Sequence, residues 1–159
     1  MSRTSPDGYL TEAEFRAWGG SLLFVTRTTR ALDEALTDAH GISVKEFDVL
    51  ITLFNAPDGR LRMSELADRV VLSASGVTQL VTRLERDGLV QRIVDESDRR
   101  SFFATLTAAG HQRLRDSRPT HNAVIREHLT DRLSATHMKT MGALWETVLG
   151  DFSSPPQGA

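Results

Sequence analysis

The chain of 159 residues contains no cysteine. That excludes disulfides, thiol catalysis and thiol-based oxidant sensing, and it agrees with a cytoplasmic location. No run of 18 apolar residues occurs, and no basic stretch leads into an apolar one, so neither a membrane span nor a signal peptide is expected. A Gly-rich phosphate loop, a zincin motif and a nucleophile elbow are all missing. The five histidines, His40, His111, His121, His128 and His137, lack close metal-ligand spacing. His121 and His128 can share a helix face, but with no carboxylate or thiol nearby they make a poor metal site, and His128 sits on an apolar row that suits a core histidine. No catalytic set, cofactor or metal follows from these residues, and the chain does not read as an enzyme. There is no internal repeat and no low-complexity block. Positive charge is also not in excess: the formal net charge is −2.

What remains is ordinary for one soluble domain, at 40% hydrophobic and 25% charged residues. Residues 1–10 are polar, with Pro6 and Gly8, and read as a flexible tail; residues 151–159, with two prolines, read as another. Thr11 and Glu14 have capping-box spacing and open a helix running to about Ala39, where Gly41 stops it. Its apolar row, Trp18, Leu22, Val25, Leu32 and Leu36, carries more surface than a small reading head needs. Ser43 and Glu46 repeat the spacing and open a second helix that buries Val44, Phe47, Leu50, Ile51 and Phe54. Asn55 to Arg60 reads as a turn. Beyond Thr107 a long helical stretch contains Pro119, which is expected to kink or break it near Arg118. Ser134 opens a last helix with Met138, Met141, Leu144, Trp145 and Val148.

Ser64 to Thr107 organises the rest. It reads as two short helices followed by a β-hairpin, a winged helix-turn-helix in a mainly α fold. In the second helix Val77, Leu80, Val81 and Leu84 form one apolar stripe. The opposite face carries Ser75, Thr78, Gln79, Thr82, Arg83 and Arg86, with Ser73 as N-cap and Gly88 as the terminating glycine. Short hydroxyls and an amide near a helix N-terminus, with guanidinium groups behind them, suit base edges in a DNA major groove. An amphipathic helix with a solvated polar face fits the same residues, so the helix takes its meaning from its neighbours. The hairpin has Val90, Arg92 and Val94 alternating on one strand, and Phe102, Ala104 and Leu106 on the other. Between the strands, D-E-S-D-R-R offers Arg99 and Arg100 to a minor groove, with Asp98 structuring the wing through an ion pair to one arginine. From Ser73 to Arg100 five arginines face five acidic residues. Affinity must then depend on where the arginines point, and a dimer would present each contact twice.

The wing D-R-R-S-F-F-A-T-L-T, with Asp98, Arg100, Leu106 and Thr107 in register, resembles that of the multiple antibiotic resistance regulator (MarR) family. That family's pattern is Asp-x-Arg-x-x-x-Leu-x-Leu-Thr; Ala104 stands where the first leucine is usual. The preceding S-G-V-T-Q-L-V-T-R-L-E-R-D-G-L-V is similar to the family's recognition helix, and the resemblance extends from about Thr11 to Gly150. It implies a homodimeric transcription factor, with residues 43–107 reading double-stranded DNA and residues 11–40 and 108–150 forming the dimerisation helices. Two-fold symmetry would set the recognition helices roughly 34–36 Å apart on a pseudo-palindrome. The resemblance also implies release by a small aromatic or phenolic anion held between the dimerisation helices and the reading head. Trp18 and Phe47 are candidate walls, or plain core residues, and Arg27 or Arg30 the candidate positive charge. A repressor is the favoured reading. The alternatives are a winged helix that binds protein rather than specific DNA and, more remotely, a metal sensor built on His121 and His128.

Overall fold

A computed structural model describes residues 8–70, 73–95 and 98–150 and, within them, every side chain except those of Ala74, Arg99 and Arg100. Residues 1–7 and 151–159, which hold most of the two expected tails, lie outside the described residues. Six α-helices and three short strands follow one another among the described residues: α1 (Glu12–His40), α2 (Val44–Phe54), β1 (Arg60–Arg62), α3 (Met63–Arg69), α4 (Ala74–Arg86), β2 (Val90–Asp95), β3 (Asp98–Leu106), α5 (Ala108–His128) and α6 (Ala135–Leu149). This is the mainly helical winged fold read from the sequence.

Both capping boxes form. Thr11 Oγ1 accepts from the Glu14 amide while Glu14 accepts from the Thr11 amide, and Gly41 closes α1 in the left-handed region at φ 65°. Ser43 and Glu46 do the same at α2. One core joins the elements. Leu32 and Leu36 of α1, Phe47, Val49, Leu50 and Leu53 of α2, Leu66, Val77, Val81, Leu84, Val90, Ala104 and Leu114 are all buried in it. A hydrogen bond from the Val44 amide to Asp33 fixes α2 against α1. Arg113 of α5 donates to the carbonyl oxygen of His40 at 2.6 Å, and His40 Nε2 meets Thr120 Oγ1 at 2.8 Å.

The sheet has one strand more than the sequence announced. β1 starts at Arg60, the last residue of what read as a turn, and the order is β1-β3-β2, antiparallel throughout. Leu61, the centre of β1, pairs with Ala104, and both are buried. Three residues are too few for a period-2 signal to stand out. α5 also departs from expectation. It passes through Pro119 without interruption and ends at His128, before a short 3-10 turn over Thr130–Arg132. α5 packs against α1 and α2, and these tertiary contacts keep it from breaking at the missing amide, an override of local preference. The N-terminal half of α1 and all of α6 bury nothing: Phe15, Trp18, Leu22, Leu23, Val25, Leu144, Trp145 and Val148 remain exposed.

Candidate nucleic-acid interface

α4 begins where Ser73 accepts a hydrogen bond from the Gly76 amide at 3.2 Å. It ends where the amides of Gly88 and Leu89 turn back to the carbonyl oxygens of Glu85 and Leu84, with Gly88 at φ 72°. Val77, Val81 and Leu84 are fully buried, and Leu80 packs beside them. The stripe read from the sequence is therefore the inner face, and Ser75, Thr78, Gln79, Thr82, Arg83 and Arg86 stand on the other. Ser73 and Ser75 hydroxyls lie 3.2 Å apart at the helix N-terminus. The side chain of Gln79 is exposed and makes no hydrogen bond within the described residues.

The arginines of this region divide into groups with different work. Arg83, one of the DNA-contact candidates of the sequence, reaches back to α2, where its Nη2 lies 2.7 Å from Oε1 of Glu46. Glu46 is only 2% exposed, and its other oxygen completes the capping box of α2. Arg83 thus locks the recognition helix to the helix beneath it. Spacing on α4 could not reveal this, because the partner lies 37 positions upstream and looked like a local cap. Arg92, on β2, performs the same task from the other side. It donates to Thr82 Oγ1 at 2.6 Å and to the Thr78 carbonyl at 3.3 Å, and it pairs with Glu85 at 3.1 Å. Thr82 is accordingly part of a brace between wing and helix. Arg86 pairs with its neighbour Asp87 at 3.2 Å and remains well exposed.

At the wing, Asp98 accepts from Ser101 Oγ at 2.7 Å. The side chains of Arg99 and Arg100 lie outside the described ones. Arg62 of β1 reaches the buried carboxylate of Asp95 at 2.5 Å, and Arg60 and Arg62 both stand over the ring of Phe103, 4.8 and 5.6 Å from its centre. These pairings ease the charge balance of the region. Glu85, Asp87 and Asp95 each face an arginine, so their charge is compensated locally.

The four residues proposed for a ligand do not share one cavity. Phe47 is 2% exposed and stacks on His121 with ring centres 4.4 Å apart, a core position. Trp18 is 64% exposed and lines a groove between α1 and α6. Arg27 faces a separate cavity, and Arg30 is paired with Glu34 at 2.8 Å on the surface of α1, which raises its pKa. His121 stands beside Asp48; partial desolvation pushes the Asp48 carboxyl up and the histidine pulls it partly back. Among the described residues no group of three His, Asp or Glu side chains has metal-binding geometry, and no helix is long and apolar enough to cross a membrane.

The model of the MarR family matches residues 40–101. The chain is 31% identical over 129 residues to the HTH-type transcriptional repressor YetL of Bacillus subtilis, covering 79% of this chain and 77% of that one. Among solved structures, Sco3205 of Streptomyces coelicolor, a MarR family transcriptional regulator in complex with DNA, is 33% identical with a TM-score of 0.81, covering 88% of this chain and 91% of that one. AbsC from the same organism, another MarR family regulator, is 31% identical with a TM-score of 0.80 over 88% of this chain and 94% of its own.

Proposed function

The chain belongs to the MarR family, and on that premise we propose that it is a dimeric repressor that reads a pseudo-palindromic operator with α4. A DNA-binding transcriptional regulator is what the family and its relatives support; dimer, operator and effector are our reading. One observation carries the docking. The exposed N-terminal face of α4, with Ser75, Thr78 and Gln79, is held by ties to two other elements, to α2 by its own Arg83 through Glu46 and to β2 by Arg92 through Thr82 and Glu85. A rigid helix whose Gln79 is unengaged within the described residues suits base readout, because glutamine pairs bidentately with adenine. Arg86, Arg99 and Arg100 would then contact phosphates or the minor groove, and Arg83 and Thr82 would orient the reader. Ser73 and Asp98 fix the ends of helix and wing.

Residues 11–40 and 108–150 form the dimerisation region in this reading. Its support is the apolar surface that α1 and α6 leave uncovered, which a second copy would bury. An anionic effector acting on this region would change the spacing of the two heads.

The test is a fluorescence-anisotropy titration on DNA from upstream of the chain's own gene, at several salt concentrations, with an unrelated duplex as control. Tight, sequence-dependent binding with a steep salt slope is expected. Gln79→Ala should cost about 1–3 kcal/mol and relax discrimination at one position of each half-site. Equal, weak binding to both duplexes would favour the second reading, a protein-interaction module. That reading draws on one feature, the exposed Ile93, Val94 and Phe102 of the wing.

A further inference from the structure

Arg62 stands where β1 ends and α3 begins. Its amide donates to Glu65 Oε2 at 2.8 Å at the N-cap of α3, which fixes its backbone. Its side chain goes elsewhere. In the order β1-β3-β2 the two outer strands are not neighbours. The Arg62 guanidinium nevertheless crosses the central strand, passes over the ring of Phe103 and meets the carboxylate of Asp95, at the end of β2, at 2.5 Å. Asp95 is only 4% exposed. A charge so buried costs desolvation that an apolar residue would avoid. What a planar guanidinium on a carboxylate supplies instead is direction.

Asp95 is also where the regular pairing of the wing stops. Val94 pairs with Phe102, but Asp95 pairs with Asp98, so one step along β2 meets four along β3. The surplus residues are Arg99, Arg100 and Ser101, whose backbone forms a bulge between those two pairings. Bulges bend a strand and re-aim what it carries. Both ends of this one are tied. Asp95 is held by Arg62, and Asp98 accepts from Ser101 Oγ across the bulge at 2.7 Å. The tie through Arg62 leads out of the hairpin altogether, to the first turn of α3.

We propose that Arg62 is a positioning residue for the wing, and that its tie to Asp95 makes the bulge a reader of minor-groove shape. That the wing meets DNA at all rests on the reading above. A hairpin free to pivot would bring Arg99 and Arg100 to any nearby phosphate, and phosphates carry no sequence information. A bulge held at a set angle to α3 presents them at one depth. The narrow minor groove of A·T-rich DNA, with its enhanced negative potential, then binds better than a G·C-rich one. Holding the bulge in advance also lowers the ordering cost of binding. The wing thereby adds discrimination at base pairs that α4 does not reach, and Arg62 acts without touching DNA.

The test uses the segment that the full chain protects in footprints of DNA upstream of its own gene. Duplexes of that segment are made with outer base pairs all A·T, all G·C or all inosine·cytosine, and titrated by anisotropy. An inosine·cytosine pair keeps the major-groove pattern of G·C and lacks the amino group that G·C places in the minor groove. The parent should bind the A·T and inosine forms about tenfold more tightly than the G·C form. Arg62→Gln and Asp95→Asn should each lose that preference while binding the G·C form as the parent does, which also shows that their reading heads are folded. Arg62→Lys, which keeps the charge, should recover part of the preference. With Arg99 and Arg100 both replaced by alanine, neither change should have a further effect. A direct phosphate contact by Arg62 predicts the opposite for Asp95→Asn, which releases Arg62 with its charge: affinity kept or raised on every duplex. That outcome, a parent without preference, or variants weakened equally on all the duplexes would overturn the positioning role alone. A parent that protects no segment overturns the DNA-binding reading and the positioning role with it.

Discussion

Glu46 has two carboxylate oxygens, and the fold uses them in different directions. One caps α2 through Ser43, while the other holds Arg83 of the recognition helix. Replacing Arg83 by alanine leaves a buried carboxylate oxygen without its partner, at a cost of about 1–3 kcal/mol. Chemical denaturation of Arg83→Ala should show that loss, and the loss of DNA affinity should be spread over the whole site. Unchanged stability with a defect confined to one base pair would return Arg83 to the role of base reader. Asp48 makes the opposite kind of contribution. Although the residue is largely exposed, partial desolvation of its carboxyl raises its pKa in the fold above that of the unfolded chain, with His121 opposing. The protonated form therefore favours the fold: that stability is present below the ordinary carboxylate value of about 3.9 and is lost as pH rises through the raised one. Asp48→Asn should accordingly raise Tm at neutral pH, and the gain should vanish near pH 3. A Tm gain independent of pH would show that ionisation is not the cause.

The junction between wing and stem shows how elements constrain one another. Thr107 caps α5 and also donates to the Gly88 carbonyl at 2.6 Å, while its amide donates to that of Leu89 at 3.1 Å. The first turn of α5 is pressed so closely onto this corner that a Cβ at Gly110 would lie 2.0 Å from the Leu89 carbonyl oxygen. A backbone atom cannot swing aside as a flexible side chain can. Gly110→Ala should therefore destabilise by about 1–3 kcal/mol as overpacking, despite alanine's better helix propensity. Thermal unfolding checks this, and a stabilised variant would mean that α5 can move away from the wing. The sequence placed a helix beyond Thr107, but the glycine gave no sign of its purpose. Only the approach of a second element explains it.

For the whole molecule, the reading head is closed on itself and the stem is open. The head buries the inner faces of α2, α3, α4 and the sheet in one core, while the first half of α1 and the length of α6 present apolar side chains outward. Placing a charge on that surface, as in Leu22→Glu, should convert a dimer into monomers in sedimentation-velocity measurements. DNA affinity should fall at least about tenfold, because two linked heads bind as one unit. A variant that stays dimeric would move the interface off this part of α1.

By itself the sequence determined the helices with strong local signals: two capping boxes, the stripe of α4 with its Ser73 cap and terminating glycine, and the wing after it. Those signals are local because capping and periodicity act within one or two turns. β1 and the continuity of α5 through Pro119 were decided by tertiary structure, since both depend on what packs against them. The same holds for the site. The residue types on α4 and the wing were legible, but their division of labour was not. Arg83 and Thr82 face partners from α2 and β2, and Phe47, Trp18, Arg27 and Arg30 separate into a core position, a groove, a cavity and a surface pair. A side chain's type is written in the chain, whereas its partner is fixed only when distant segments meet.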